Sequence, residues 1–174
     1  LDDRLKRYPE GLYVSEKMDG HRCLYDPSLN EGLSRTGKTS FNLPNSWKIS
    51  LSESNMHLDG EIFLDGLPAS QVAALRTNSN LSKILWENVA KYYIFDLPTH
   101  EGPFSERIKA YKEIVKKICE KWKADNPNKE CPIIATKQKL MKNADDIEKK
   151  FKKVISKKYN CNTDLTSENI LCVP

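Results

Sequence analysis

Apolar residues change their period near Pro98, and that change restricts the chain to a mixed fold. Before it, short runs rich in β-branched and aromatic residues are broken by Gly, Pro, Asn and Asp. Leu12 to Glu16, Arg22 to Tyr25, Leu33 to Thr36 and His57 to Leu64 read as strands, with a turn through Asp26-Pro27 to Gly32. Pro44 to Ser54 reads as a loop, and Ala69 to Arg76 and Leu81 to Ala90 as short helical segments. Lys91 to Leu97, closed by Pro98, has the pattern of a buried strand. Two longer helices follow. In the first, from about Ser105, the residues Ile108, Tyr111, Val115, Ile118 and Trp122 recur at helical steps until Asn126-Pro127 stops it. In the second, Asn143 caps, Asp145 and Asp146 occupy the first turn, and Ile147, Phe151, Val154 and Ile155 form the apolar stripe. Pro132 to Lys137 reads as a strand between them. Strands first and helices later predict an α+β fold, antiparallel β-sheets flanked by helices.

With 174 residues, 39% hydrophobic and 30% charged, the chain has enough apolar side chain for one domain with a real core. No repeat, low-complexity linker or internal domain boundary is visible in it. No apolar stretch approaches the roughly 20 residues that a bilayer requires, so no membrane association is expected. The first residue is Leu1 rather than methionine, which leaves room for a leader or a preceding domain. Five cysteines, Cys23, Cys119, Cys131, Cys161 and Cys172, are odd in number and far apart, with no Cys-x-x-Cys pair. They predict a reduced, intracellular setting rather than a disulfide framework. His21, His57 and His100 are isolated and do not read as metal ligands. From Ser105 to Lys158 there are 17 Lys and Arg against 8 Asp and Glu, or +9, which leaves 11 against 16, or −5, elsewhere. The basic half is either a surface for a phosphate backbone or the solvated face of two helices.

Residues 16 to 22 read Glu-Lys-Met-Asp-Gly-His-Arg, directly after the apolar run Leu12-Tyr13-Val14. Lys17 leaves the strand at its end, Asp19-Gly20 supplies a reversal, and Arg22 returns as a second cation. That spacing suits a nucleophilic amine aimed at a phosphate; its plainer reading is a surface lysine in a hairpin. A free lysine amine, with a pKa near about 10.4, is protonated at neutral pH, so nucleophilic use calls for burial or adjacent cations. Gly32-Leu-Ser-Arg-Thr-Gly-Lys-Thr39 matches the P-loop pattern, and Asp96 could pass for a metal-binding strand end. A working P-loop needs a buried strand before it and a helix after it. Here Pro27-Ser-Leu-Asn-Glu31 precedes, and Ser40 to Ser46, which contains Pro44, follows without a helical period. The P-loop reading is therefore set aside.

Four segments in order, Lys17-Met-Asp-Gly-His-Arg22, Ser34-Arg-Thr-Gly-Lys38, Leu58-Asp-Gly-Glu61 and Tyr93-Ile-Phe-Asp96, resemble the adenylation domain of ATP-dependent DNA ligases. That family belongs to the covalent nucleotidyltransferase superfamily, with RNA ligases and mRNA capping enzymes. The Ser34-Arg-Thr-Gly-Lys38 stretch followed by Leu43-Pro44 and Trp47, and the run Phe95-Asp-Leu-Pro98 followed by Gly102-Pro-Phe-Ser-Glu-Arg107, are similar to the minimal ligases of bacterial and organellar type. The resemblance implies an ATP-grasp-like nucleotidyltransferase domain over residues 1–174, with ATP and Mg2+ as cofactors and nicked double-stranded DNA as partner, acting as a monomer. It implies Lys17 as the amine that attacks the α-phosphate of ATP, inside a pocket between the sheets, forming lysyl-AMP. By the same resemblance Glu16 contacts the adenine edge, Arg22 faces the ribose and nick phosphate, and Arg35 grips the DNA 5′-phosphate. Glu61 accepts from a ribose hydroxyl and Phe95 stacks on the adenine. AMP would then pass to a 5′-phosphate and be displaced by a 3′-hydroxyl.

The pattern departs from the family at Glu168-Asn-Ile-Leu-Cys-Val-Pro174, where the family has Glu-Gly. Glu168 is the expected metal carboxylate. The fifth motif, with its two lysines, and the OB-fold are not found in this sequence, so weak self-adenylation and no nick sealing by the 174 residues alone are expected. A fragment of a longer ligase, a natural truncation and a degenerate protein all fit. The rival functions are an RNA ligase or capping guanylyltransferase, separable by ATP-versus-GTP competition, and a non-catalytic nucleic-acid-binding remnant of the fold.

Overall fold

The computed structural model describes residues 1–159 and 170–173, with side chains described through 154. These residues form two compact units, one discontinuous in sequence: Leu1–Met18 with the described residues from Lys137 onward, and Asp19–Thr136. Nothing in the composition marks either crossing point, because both fall in short polar connections.

In the discontinuous unit, β1 (Leu12–Glu16) is the centre of a three-stranded antiparallel sheet, between β8 (Lys139–Met141) and β9 (Ile170–Val173). Leu12 and Val14 turn one face inward onto Met141 and Ile147, with Leu5 of α1 (Asp2–Arg7) packed beside them. Ile147 and Phe151 come from α5 (Ala144–Tyr159) and are buried, as their stripe predicts. The Asn143 side chain accepts from the Asp146 N–H at 2.8 Å, the cap expected there. On the next turns Lys150 Nζ donates to the Val14 carbonyl at 2.8 Å.

The second unit is built on a six-stranded sheet ordered β4-β3-β2-β5-β6-β7. Its strands are β2 (His21–Asp26), β3 (Glu31–Ser34), β4 (Ser40–Phe41), β5 (Leu58–Leu64), β6 (Ala90–Asp96) and β7 (Ile133–Ala135). All pairs are antiparallel except β6 with β7, which is parallel. That exception has a simple cause: the 22-residue helix α4 (Phe104–Asp125) is the crossover that returns the chain in the same direction. Ile108, Tyr111, Val115, Ile118 and Trp122 of α4 are all buried, and Asn126 is its C-cap.

One segment corrects the sequence reading, and the two short helical segments expected after it are found. Asn45–Leu51 is a helix, α2, rather than part of a loop; it buries Trp47, Ser50 and Leu51 and is followed by a 3-10 turn, Ser52–Ser54. Ala69–Arg76 is a 3-10 helix, burying Val72 and Leu75, and leads into α3 (Asn80–Asn88), whose start is capped by the Ser79 side chain. Trp47 and Trp86 meet edge to face at 4.8 Å. The Tyr92 hydroxyl, fully buried, lies within hydrogen-bond distance of the Cys23 and Leu58 carbonyls, at 2.9 and 3.0 Å. The same tyrosine thus supplies a polar partner to two other strands of the sheet.

Gly32–Thr39 is the end of β3 and the hairpin turn after it, with Ser34 N–H donating to the Thr39 carbonyl at 2.7 Å and Gly37 at φ +70°. No helix follows it until Asn45, in agreement with setting the P-loop aside. No helix among the described residues is long and apolar enough to cross a membrane.

Candidate functional site

Lys17 stands one residue beyond β1, where the strand ladder ends at Glu16 paired with Ile170. Glu16 is half-buried. Lys17 is solvent-exposed, one residue past the hydrogen-bonded ladder of β1.

Asp19 and Gly20 form a bend, as expected, and the glycine has a further reason to be there. Gly20 is not among the residues with positive φ, so it is not there to make a left-handed turn. A Cβ on it would lie 2.2 Å from the Ile62 carbonyl oxygen, and its N–H donates to Glu61 Oε1 at 3.1 Å. Glycine is required by close approach to β5. Gly20→Ala is expected to lower stability by about 1–3 kcal/mol, read from the urea midpoint; an unchanged midpoint would remove close packing as the reason for this glycine.

Register places Arg22 directly across from Glu61, and one step further along the same face lies Asp59. Arg22 meets Asp59 with both nitrogens of its fork, the Nε contact at 2.9 Å, and the carboxylate is almost wholly buried while the guanidinium is half-exposed. This hydrogen bonding, above all, raises the Arg22 pKa further. The β5–β6 register shifts between Asp59 and Gly60, leaving Phe95 as the extra residue opposite them. Such a bulge re-aims its side chain, and here Phe95 is half-buried with its ring 5.9 Å from the Arg22 guanidinium carbon. Phe95 is therefore not a core residue. Asp96, the strand-end carboxylate, is engaged by Arg107 at 2.7 Å and is no free metal ligand.

A cavity of about 520 Å³ opens on this face, lined in part by Gly20, Arg22, Arg35, Glu61 and two residues that the motifs did not single out, His21 and Arg76. Arg35 is exposed, in the turn after β3. Arg76 ends the 3-10 helix, with its guanidinium 4.7 Å over the Phe41 ring and a terminal nitrogen 3.3 Å from His21 Nδ1. Its Nε is buried and has no hydrogen-bond partner. Neither Arg35 nor Arg76 forms an ion pair with a carboxylate among the described residues. Burial first, and then the Arg76 charge, lower the His21 pKa below 6.5, with Asp19 opposing. A depressed value in the fold means that this histidine's stabilising contribution is present above about pH 6.5 and is lost as pH falls through the folded value. Arg22 is charge-matched by Asp59 and Glu61 holds Gly20, so the cavity has two arginines uncommitted to carboxylates. An anion with hydrogen-bond acceptors on several sides is the ligand that suits it. The only sequence sign of Arg76 was its place at the end of a short helical segment.

The described residues gather no three His, Cys, Asp or Glu side chains into a metal site. Glu168, the carboxylate expected there, lies outside the described residues.

No protein-family model and no curated protein sequence matches the chain. Solved structures do match its fold. A Chlorella virus DNA ligase-adenylate has 19% identity and a TM-score of 0.67, over 97% of this chain and 55% of that one. A Lig E DNA ligase, studied as DNA binding with a minimal scaffold, has 17% identity and a TM-score of 0.65, over 86% and 52%. The ATP-dependent DNA ligase of bacteriophage T7, in complex with ATP, has 17% identity and a TM-score of 0.55, over 87% and 55%. The chain thus has the nucleotidyltransferase-domain fold of ATP-dependent DNA ligases and spans about half the length of these structures.

Proposed function

We propose that this chain carries the adenylation step of an ATP-dependent DNA ligase. In this reading Lys17 Nζ attacks the α-phosphorus of ATP, pyrophosphate leaves, and a lysyl-AMP phosphoramidate remains for transfer to the 5′-phosphate of nicked DNA. The observation that carries the reading is the arginine-lined cavity within Asp19–Thr136, to which three of the four motif segments contribute Gly20, Arg22, Arg35 and Glu61. Glu16 is assigned to the adenine edge, Glu61 to a ribose hydroxyl and Phe95 to the adenine face.

Arg22 is assigned to the ribose and nick phosphate. Its bidentate bond to a buried carboxylate holds the guanidinium in one orientation before substrate arrives, which is the preorganisation that electrostatic catalysis requires. Glu61, fixed by the Gly20 N–H, is held in the same way. Arg35 and Arg76 are assigned to a terminal phosphate of the DNA. Mg2+ would add positive charge at the phosphoryl oxygens. Among the described residues Asp59 and Asp96 are engaged by arginines and Glu61 by a backbone N–H, and Glu168, assigned to the metal, lies outside them.

Incubating the chain with α-labelled ATP or GTP, Mg2+ supplied, tests the assignment by intact mass and peptide mapping. An AMP adduct on Lys17, competed by ATP and not by GTP, is expected. Adduct elsewhere, or preference for GTP, would overturn it. Arg76→Ala is expected to weaken binding of a 5′-phosphorylated nicked duplex by roughly tenfold and to reduce the slope of log affinity against log salt by about 1. Unchanged affinity and slope would remove Arg76 from the phosphate site.

A further inference from the structure

Cys119 and Cys131 are 12 residues apart in sequence, yet their sulfurs lie 2.6 Å apart. Separate thiols do not normally rest so close, and a disulfide needs only about 2.05 Å. The intervening chain explains the approach. Helix α4 stops at Asn126, whose side-chain amide donates to the Trp122 carbonyl at 3.1 Å, and Lys129 N–H donates to the Asn126 carbonyl at 3.0 Å. The Trp122 indole N–H then donates to the Lys129 carbonyl at 3.3 Å, closing the loop back over the helix. Both sulfurs also face the Ile133 carbonyl of β7, at 3.2 and 3.5 Å. Each residue is only half-buried, within reach of a small solute.

We propose that Cys119 and Cys131 are a reversible dithiol modification site for hydroperoxides. The electrostatics favour Cys131 as the attacking thiolate and Cys119 as the resolving thiol. The Cys119 thiol donates to Cys131, which lowers the pKa of Cys131 and raises that of Cys119; Lys123 and Lys91 add positive charge near Cys131. Cys131 attacks one oxygen of ROOH, the O–O bond breaks, and the alkoxide leaves as ROH with the thiol's proton. The resulting Cys131 sulfenic acid is then attacked by Cys119 Sγ, the S–O bond breaks, and hydroxide leaves as water with the second thiol's proton. Two thiols are oxidised to a disulfide while the peroxide takes up two electrons, and added thiol reverses the change. The inference does not depend on the adenylation reading.

Hydrogen peroxide treatment of the full chain, followed by alkylation, digestion and mass spectrometry, tests this. A Cys119–Cys131 linked peptide, lighter by two hydrogens and restored by dithiothreitol, is expected. In Cys119→Ser the sulfenic acid on Cys131 should persist and be trapped by dimedone, whereas in Cys131→Ser Cys119 should remain alkylatable. Full alkylation of both cysteines after peroxide, a link joining two chains, or equal dimedone trapping on Cys119 in Cys131→Ser would overturn the assignment.

Discussion

Replacing Lys17 with alanine is expected to abolish covalent labelling of the chain by ATP, a loss of at least about a thousandfold, and replacing it with arginine is expected to do the same. Alanine removes the attacking atom. Arginine keeps the charge but not the chemistry, because a guanidinium does not deprotonate in proteins and offers no free lone pair to phosphorus. The pair of variants separates nucleophilic attack from simple electrostatic attraction, since an attracting cation alone would survive the arginine change. Lys17 is exposed and lies outside the ladder of β1, so both variants should keep the wild-type unfolding midpoint. Labelling is measured on a denaturing gel with α-labelled ATP. Equal labelling of wild type and Lys17→Ala would sink the mechanism.

The second large effect is structural. Trp47 is 2% exposed, lies in α2 and meets Trp86 at 4.8 Å, so Trp47→Ala removes a large buried ring. A loss of about 3–5 kcal/mol is expected, from lost transfer energy together with the cavity left behind. Domains of ordinary size have only about 5–15 kcal/mol in total, so this one change consumes much of the margin. Trp47→Phe should recover part of it. Urea unfolding followed by circular dichroism measures both variants; a loss below about 1 kcal/mol for the alanine variant would show that the site collapses around the gap.

Trp47 also shows where the sequence ceased to be readable. The seven residues of Asn45–Leu51 are too few to repeat a helical period, and Pro44 before them reads as a loop marker, although proline is also at home at a helix start. Over the 22 residues of α4, by contrast, five apolar positions at helical spacing became five buried residues. The parallel β6–β7 pair was likewise hidden, because strand direction is decided by the crossover and not by the strand's own residues. For the site, four motif segments were visible as local strings. Nothing in those strings joins His21, inside the first segment, to Arg76, 55 positions on, and only the fold brings them to 3.3 Å.

Sequence alone determined what depends on neighbours along the chain: the long helices, the edges of β1, the Asn143 cap and the order of the four motif segments. Side-chain periodicity, turn chemistry and capping act over a few residues and are written directly in the string. Tertiary structure decided what depends on register: which carboxylate orients Arg22, why Gly20 can bear no side chain, where the Phe95 bulge points and which thiol meets Cys119. Register is set by the sum of many distant contacts, and shifting a strand by a single residue turns every side chain to the opposite face.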